Sequence, residues 1–192
     1  MSAQSFRFFF DAVDPLSFVM YHVLRAAEEQ RGVVAAPTPI ECYPPDAPLT
    51  DTEDPFWRLR WSEGERLAKG MGFSLVRPGL VPRSGKAHEL FLHAQESDLG
   101  EPALAAIFAA YFLEGRDIGR IDVLVDIALA LGFDLTESKA VLDVNRYEDD
   151  ALMGAKLAVE AGVTGVPALV TSAGALQGFH NQAAIGTFLD GR

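Results

Sequence analysis

A short aromatic run that leads directly into an Asp-Pro helix start is the feature that most restricts the fold. Ser5–Asp11 reads SFRFFFD, which has the length and composition of a buried β-strand. Asp14 and Pro15 follow, and aspartate at the N-cap with proline at the first helical position is an efficient helix start. Apolar residues then recur at helical spacing until Gly32. The chain therefore opens with a strand followed at once by a helix.

The next segments predict a second strand, a surface loop and a block of helices. Thr38–Tyr43 has strand composition, and Pro44–Pro55 is rich in proline and acidic residues, which is typical of an irregular loop. Amphipathic stripes then indicate successive helices, the first capped by Asp54 and a short later one capped by Thr136. Trp57 and Trp61 lie four residues apart on the first of these helices and are interpreted as core residues.

Strand character returns near the end of the chain. Pro167–Phe179 predicts a hairpin, and Asn181 predicts the N-cap of a closing helix. This order predicts an α/β protein with a thioredoxin-like βαβ–ββα sheet and an inserted all-helical subdomain. The predicted boundaries are residues 1–50 plus 160–192 for the sheet domain and residues 51–159 for the insertion.

Composition excludes several classes of function. The formal net charge is −11, from 16 Lys and Arg against 27 Asp and Glu, which argues against nucleic-acid backbones and anionic membrane surfaces as partners. Cys42 is the single cysteine, so no intrachain disulfide can form. No run of about twenty apolar residues and no signal-peptide pattern is visible, so the expected location is the cytoplasm. No His/Cys cluster with ligand spacing predicts a metal site.

Four segments together resemble one family. They are FFFDAVDPLSF, RSGKAHELFLHA, AAYFLEGRDIGRIDVLVDIA and GVTGVPALV, in that order along the chain. They resemble the active-site turn, an Ala-His segment, the helical insertion and the proline loop of DsbA-like thioredoxin-fold proteins of the FrnE type. The 2-hydroxychromene-2-carboxylate isomerases and kappa-class glutathione transferases are related branches. The resemblance covers nearly the whole chain and implies an oxidoreductase-class family and a homodimer.

The resemblance places Asp14 where the family has its nucleophilic cysteine or glutathione-contacting serine, and Ser17 where it has the second cysteine. Dithiol exchange needs two sulfurs, so the chain is not expected to perform it. A helix N-terminus stabilises a carboxylate, so Asp14 is expected to be ionised, and plain capping is its alternative role. Because no activating base is evident, Ser17 is expected to donate or accept hydrogen bonds rather than attack a substrate.

The resemblance also assigns candidate ligand-binding residues. It implies a cis peptide at Val166-Pro167, whose backbone would pair with an extended ligand, and it places Pro15 beside the site. His180 and Asn181 match the position where kappa-class transferases hold the γ-glutamyl end of glutathione, although plain capping by Asn181 explains the pair equally well.

Three functions are consistent with these residues. The first is a DsbA-family protein with a degenerate site that binds a thiol-containing, peptide-like or small aromatic acid ligand in the proline groove. The second is an isomerase or transferase in which Ser17 polarises a substrate oxygen, with glutathione as its cofactor. The third is a non-catalytic binding module, for which the groove should be filled by side chains.

Overall fold

The computed structural model describes residues 5–43 and 47–191. The part of the predicted loop at residues 44–46 lies outside the described residues. The fold combines one sheet with eight helices in the described part of the chain. The prediction of an α/β thioredoxin-like architecture is confirmed.

Four strands form the sheet in the order β2-β1-β3-β4. Strand β1 (Ser5–Phe10) lies in the centre, parallel to β2 (Val34–Pro39) and antiparallel to β3 (Ala168–Thr171). Strand β4 (Gly174–Gln177) pairs with β3 and completes the predicted hairpin. Because β1 runs antiparallel to β3, the carboxyl end of β1, which Asp11 and Asp14 follow, lies beside the start of β3.

The helices divide into two that accompany the sheet and six that lie between β2 and β3. The accompanying helices are α1 (Pro15–Arg31) and α8 (Gln182–Leu189). The inserted helices are α2 (Pro55–Gly70), α3 (Gly85–Gln95), α4 (Gly100–Phe112), α5 (Ile121–Ala130), α6 (Leu135–Asp143) and α7 (Glu148–Glu160).

Two predicted boundaries are wrong. The second strand was expected at Thr38–Tyr43, but β2 ends at Pro39 because its partner β1 ends at Phe10, which pairs with Pro39. Its prolines are tolerated because β2 is an edge strand. Helix α6 is capped by Asp134 rather than Thr136, since the Asp134 carboxylate accepts the backbone N–H of Thr136 at 2.8 Å and of Glu137 at 3.0 Å.

The main hydrophobic core joins the sheet to helices α2 to α6 of the insertion. Phe10 of β1 packs edge-on against Phe91 of α3, with ring centroids 5.4 Å apart, and also contacts Phe108 of α4. Phe18 of α1 packs against Phe112 of α4 at 5.0 Å. Helices α3 and α4 of the insertion therefore pack onto the sheet face that carries α1. Ala158 of α7 instead packs with Phe9 and Ala168 in a second hydrophobic cluster, and the division into two domains remains a prediction.

Candidate functional site

Asp14 closes the turn between β1 and α1 and caps the helix with its side chain. Its Oδ2 accepts the Ser17 backbone N–H at 2.7 Å and the Ser17 hydroxyl at 2.7 Å. Pro15 takes the first helical position and is buried. Only 4% of the Asp14 surface is exposed. The capping role predicted from the Asp-Pro pair is confirmed.

Ser17 is held inside the turn. Its hydroxyl donates to Asp14 and accepts the Asp11 backbone N–H at 3.3 Å, and the residue is fully buried. A hydroxyl with donor and acceptor both engaged, and without solvent access, is placed to organise the turn rather than to attack a ligand. The geometry thus agrees with a hydrogen-bonding role.

Helix α2 brings a cation to this turn. Arg60 Nε donates to Asp14 Oδ1 at 2.5 Å, and a quarter of the Arg60 side chain is exposed. The helix can approach because Gly64 packs on Pro15, where a Cβ at residue 64 would lie 2.5 Å from the proline Cβ. Trp57 and Trp61 are buried on the same helix with their rings stacked 5.3 Å apart, which confirms that they are core residues.

The same guanidinium reaches the proline bend. The Val166–Pro167 peptide bond is cis, and Arg60 Nη2 donates to the Val166 carbonyl oxygen. Arg60 therefore bridges the start of α1 and the start of β3. The structure brings Asp14, Pro15, Ser17, Val166 and Pro167 into one cluster, with Arg60 as its link.

The pKa of Asp14 is shifted in the direction opposite to that expected for a carboxylate at a helix N-terminus. Burial raises the pKa of Asp14 above its ordinary value, while the Arg60 guanidinium and the two Ser17 hydrogen bonds act to lower it. The cost of removing the charged carboxylate from water exceeds its stabilisation by the helix N-terminus, because the carboxyl is almost completely enclosed. Arg60 is the main group that offsets this cost.

A second buried carboxyl lies directly beneath the turn. Asp11 is fully buried, and its Oδ2 accepts the Cys42 backbone N–H at 2.7 Å while His88 Nε2 lies 3.4 Å from Oδ1. His88 also lies 3.2 Å from the Ala12 backbone nitrogen. Burial acts to raise the pKa of Asp11, but His88, the Ser84 side chain and the Cys42 amide together more than offset it, so the pKa is lowered.

The single thiol lies beside these two carboxyl groups. Cys42 follows β2 in a bend rather than in the strand predicted for it, and the residue is exposed. Although the residue as a whole is exposed, the surrounding chain desolvates its sulfur, and the negative charges of Asp11 and Asp14 add to the effect, so the pKa of Cys42 is raised well above its ordinary value. Such a thiol carries little thiolate at neutral pH.

His180 and Asn181 lie at the start of α8, away from the turn. The Asn181 side chain accepts the Ala184 backbone N–H at 3.0 Å, which confirms it as the helix cap, and His180 Nε2 donates to the Gln177 carbonyl at 3.0 Å. The next residue, Gln182, donates to Gln30 at the far end of α1. The two ends of α1 are about 24 Å apart. Within the described residues, no hydrogen bond joins His180 or Asn181 to the Asp14 cluster.

Sequence reasoning missed three residues of this region, namely Arg60, Asp11 and His88. Arg60 could have been found as the charged member of a helix face that also carries Trp57 and Gly64. A charged residue on an otherwise buried stripe usually has a specific partner. For Asp11 the sequence signal is weaker, namely a carboxyl at the end of an aromatic strand. For His88 the only signal is its place in the Ala-His segment that resembles the family.

The described residues contain neither a metal-binding cluster nor a membrane-spanning helix. No group of three or more His, Cys, Asp or Glu side chains is close enough together to hold a metal ion. Across the same residues, none of the helices combines the length and the apolar content needed to cross a bilayer.

Comparisons with known proteins agree with this architecture. The family model described as DSBA-like thioredoxin domain matches residues 6–189. A curated relative, the uncharacterized protein YwbO of Bacillus subtilis, is 29% identical over 165 residues, which cover 83% of this chain and 82% of that protein.

Solved structures with the same fold have different described activities. A probable DsbA oxidoreductase from Streptomyces coelicolor superposes with a TM-score of 0.82 at 20% identity, covering 96% of this chain and 88% of the other. A 2-hydroxychromene-2-carboxylate isomerase gives 0.79 at 18% identity, with coverages of 97% and 93%. The cytosolic disulfide reductase DsbM of Pseudomonas aeruginosa, solved with GSH, gives 0.70 at 19% identity and covers 97% of both chains.

Proposed function

The chain belongs to the DSBA-like thioredoxin domain family, and on that premise we propose that it is a non-redox member that binds a peptide-like ligand carrying a carboxylate. The observation that supports this most is the contact of Arg60 with both Asp14 and the Val166 carbonyl. The resemblance assigns this buried ion pair to the position where dithiol relatives carry reactive sulfur. The single cysteine cannot form the intrachain dithiol couple that such chemistry requires.

The guanidinium supplies the recognition chemistry. Arginine presents several N–H donors in a planar fork that suits carboxylates, and about a quarter of this side chain reaches solvent. A ligand carboxylate would take the donors that now face Val166 O. The freed carbonyl would then accept an N–H from the ligand backbone, as in strand addition. The ligand therefore replaces one internal hydrogen bond by two intermolecular ones.

A matched pair of ligands tests this proposal. N-acetyl-cysteinylglycine, with a free carboxylate, is titrated into the 15N-labelled protein alongside its C-terminal amide. We expect the free acid to shift the backbone N–H resonances of Ser17, Val166 and Ala168. The control ligand with the C-terminal amide should shift these resonances less. Arg60→Lys, which keeps the charge but loses the fork, should weaken binding, whereas Arg58→Lys on the exposed side of α2 should not.

Two results would overturn the proposal. Absence of shifts at millimolar acid would remove the ligand site. Insulin reduction or dithiol oxidation that depends on Asp14 or Ser17 would remove the claim of a non-redox protein.

The glutathione-dependent isomerase is the less favoured alternative. The fold is shared with the isomerase and with the glutathione-bound reductase, but Ser17 is fully buried with its hydroxyl engaged. The residues expected to hold the γ-glutamyl end begin α8, beside the far end of α1. The side chains present therefore do not fit glutathione in the arrangement that the resemblance implied. Calorimetric binding of glutathione that is lost in Asn181→Ala would restore this alternative.

A protein-binding module is favoured by a separate observation. The outer face of α2 exposes Phe56 at 69% and Leu59 at 71%. Exposed apolar side chains on one helix are typical of contact surfaces. If that face forms the homodimer that the resemblance implied, light scattering should give twice the chain mass of 20.8 kDa. Leu59→Glu should then restore the monomer.

A further inference from the structure

A separate cavity lies between the chain that follows β2 and helices α3 and α7. Its volume is about 240 Å³. Glu41 closes one side, the first turn of α3 forms the floor, and Leu152 and Ala155 of α7 form an apolar wall. The described residues that line it do not include Asp14, Arg60 or Val166. This cavity is therefore distinct from the Asp14 cluster.

The cationic groups around the cavity are already bound by the protein. Lys86 Nζ donates to Glu89 Oε1 at 2.8 Å and also to the Leu142 carbonyl and Asn145 Oδ1. An ammonium has three donors, so these contacts use all of them. Arg83 donates to main-chain carbonyls, including that of Tyr43 at 2.6 Å. Neither cation is available to attract an anionic ligand.

The acceptor groups are in surplus. Glu41 Oε1 is buried and has no hydrogen-bond partner in the described chain. Glu148 lines the same cavity and accepts one hydrogen bond, from Asn145 Nδ2 at 3.1 Å. A buried carboxylate oxygen without a donor keeps its desolvation cost, so a donor from outside would stabilise it. Burial raises the pKa of Glu41, although the charges of His88 and Arg83 and the Gly85 backbone N–H act to lower it, so only Oε1 lacks a donor.

We propose that this cavity binds a small primary ammonium compound, with its charged head on Glu41 and Glu148 and its apolar body against Leu152 and Ala155. An ammonium supplies N–H donors to the unpartnered oxygen, and a short hydrocarbon body matches the alanine and leucine wall. The volume equals that of about eight water molecules in the liquid, which limits the ligand to a similar number of heavy atoms. The net charge of −11 favours the approach of a cation.

Calorimetry on the full chain tests the proposal with phenethylammonium chloride as the probe and 2-phenylethanol as its neutral control. We expect saturable one-to-one binding of the amine and no measurable binding of the alcohol. Glu41→Gln should weaken amine binding about tenfold or more, because it removes a charged acceptor. Glu160→Gln, on the exposed end of α7, should leave binding unchanged.

A second variant protects the test against misfolding of the first. Ala155 is exposed at the cavity wall, so Ala155→Phe should preserve the fold and abolish amine binding by filling the space. No binding of the amine, equal binding of the alcohol, or full binding by Glu41→Gln or Ala155→Phe would each overturn the proposal. Amine binding should persist in Arg60→Lys, which separates this site from the proposed carboxylate site.

Discussion

Arg60 Nε donates to Asp14 Oδ1 over 2.5 Å, which pairs a buried carboxyl with a cation that lies 46 positions further along the chain. The contact joins the N-cap of α1 to the second turn of α2. It also explains how a buried carboxyl is accommodated at this position.

Arg60→Met should destabilise the protein by about 3 kcal/mol, because it leaves the buried Asp14 without its cation. This value is at the low end for buried pairs since Arg60 is partly exposed. Urea unfolding at pH 7 measures the change. Arg58→Met is the matched control, because Arg58 is exposed and lies 3.6 Å from Glu53, so its loss should cost less than about 0.5 kcal/mol. Equal costs for the two variants would contradict a structural role for the pair.

Asp14→Asn should change the dependence of stability on pH. The folded-state pKa of Asp14 is raised, so between the ordinary value of 3.8 and the folded value the native state binds more protons than the unfolded state. The stability that comes from the protonated carboxyl is therefore present at low pH and lost as pH rises through the folded pKa. The free energy of unfolding of Asp14→Asn relative to wild type should thus increase with pH from about pH 4 upward. If the free energy of unfolding of Asp14→Asn relative to wild type fell over this range, the folded-state pKa of Asp14 would be lowered instead.

Gly64→Ala should be destabilising although alanine favours helices. The added Cβ would lie 2.5 Å from the Cβ of Pro15 and push α2 away from α1, and such overpacking costs about 1–3 kcal/mol. Gly70→Ala in the same helix has nothing within 4 Å of the new Cβ, so it should be neutral or stabilising by up to about 1 kcal/mol. Thermal unfolding of the two variants provides the comparison, and a neutral Gly64→Ala would mean that the helices separate without cost.

Cys42 should react slowly with iodoacetamide despite its exposure. Its raised pKa leaves little thiolate at pH 7.5, and each pKa unit lowers the thiolate population about tenfold. The rate in the folded protein should be at least about tenfold below the rate in 8 M urea, where the chain no longer desolvates the thiol. Asp14→Asn should raise the folded rate because it removes one nearby negative charge. Equal rates of iodoacetamide reaction in the folded protein and in urea would contradict a desolvated Cys42 thiol beside negative charges.

The fold was largely predictable because its signals are local. The Asp14-Pro15 helix start, the hairpin after Pro167 and the cap at Asn181 depend on residues within a few positions of each other. The end of β2 was not predictable from its own residues, since pairing stops where β1 stops. The cap at Asp134 was missed because Asp134 and Thr136 are both plausible caps two positions apart.

The candidate site was predictable only in part. Asp14 and Ser17 were identified from their positions in the strand-to-helix turn, and their hydrogen bonds span three residues. Arg60 was missed because its partners lie 46 and 106 positions away. His180 and Asn181 were grouped with Asp14 by resemblance, but α8 begins beside the other end of α1.

The sequence by itself determined the order of the elements, the capped turn at Asp14 and the absence of an intrachain dithiol, because each depends on local propensity or on a count of cysteines. Only the tertiary structure decided that Asp14 is buried, that its pKa rises and that Arg60 joins it to Val166. The physical reason is that desolvation and ion pairing depend on which distant segments pack together, and a close packing such as that of Gly64 on Pro15 exists only in the folded chain.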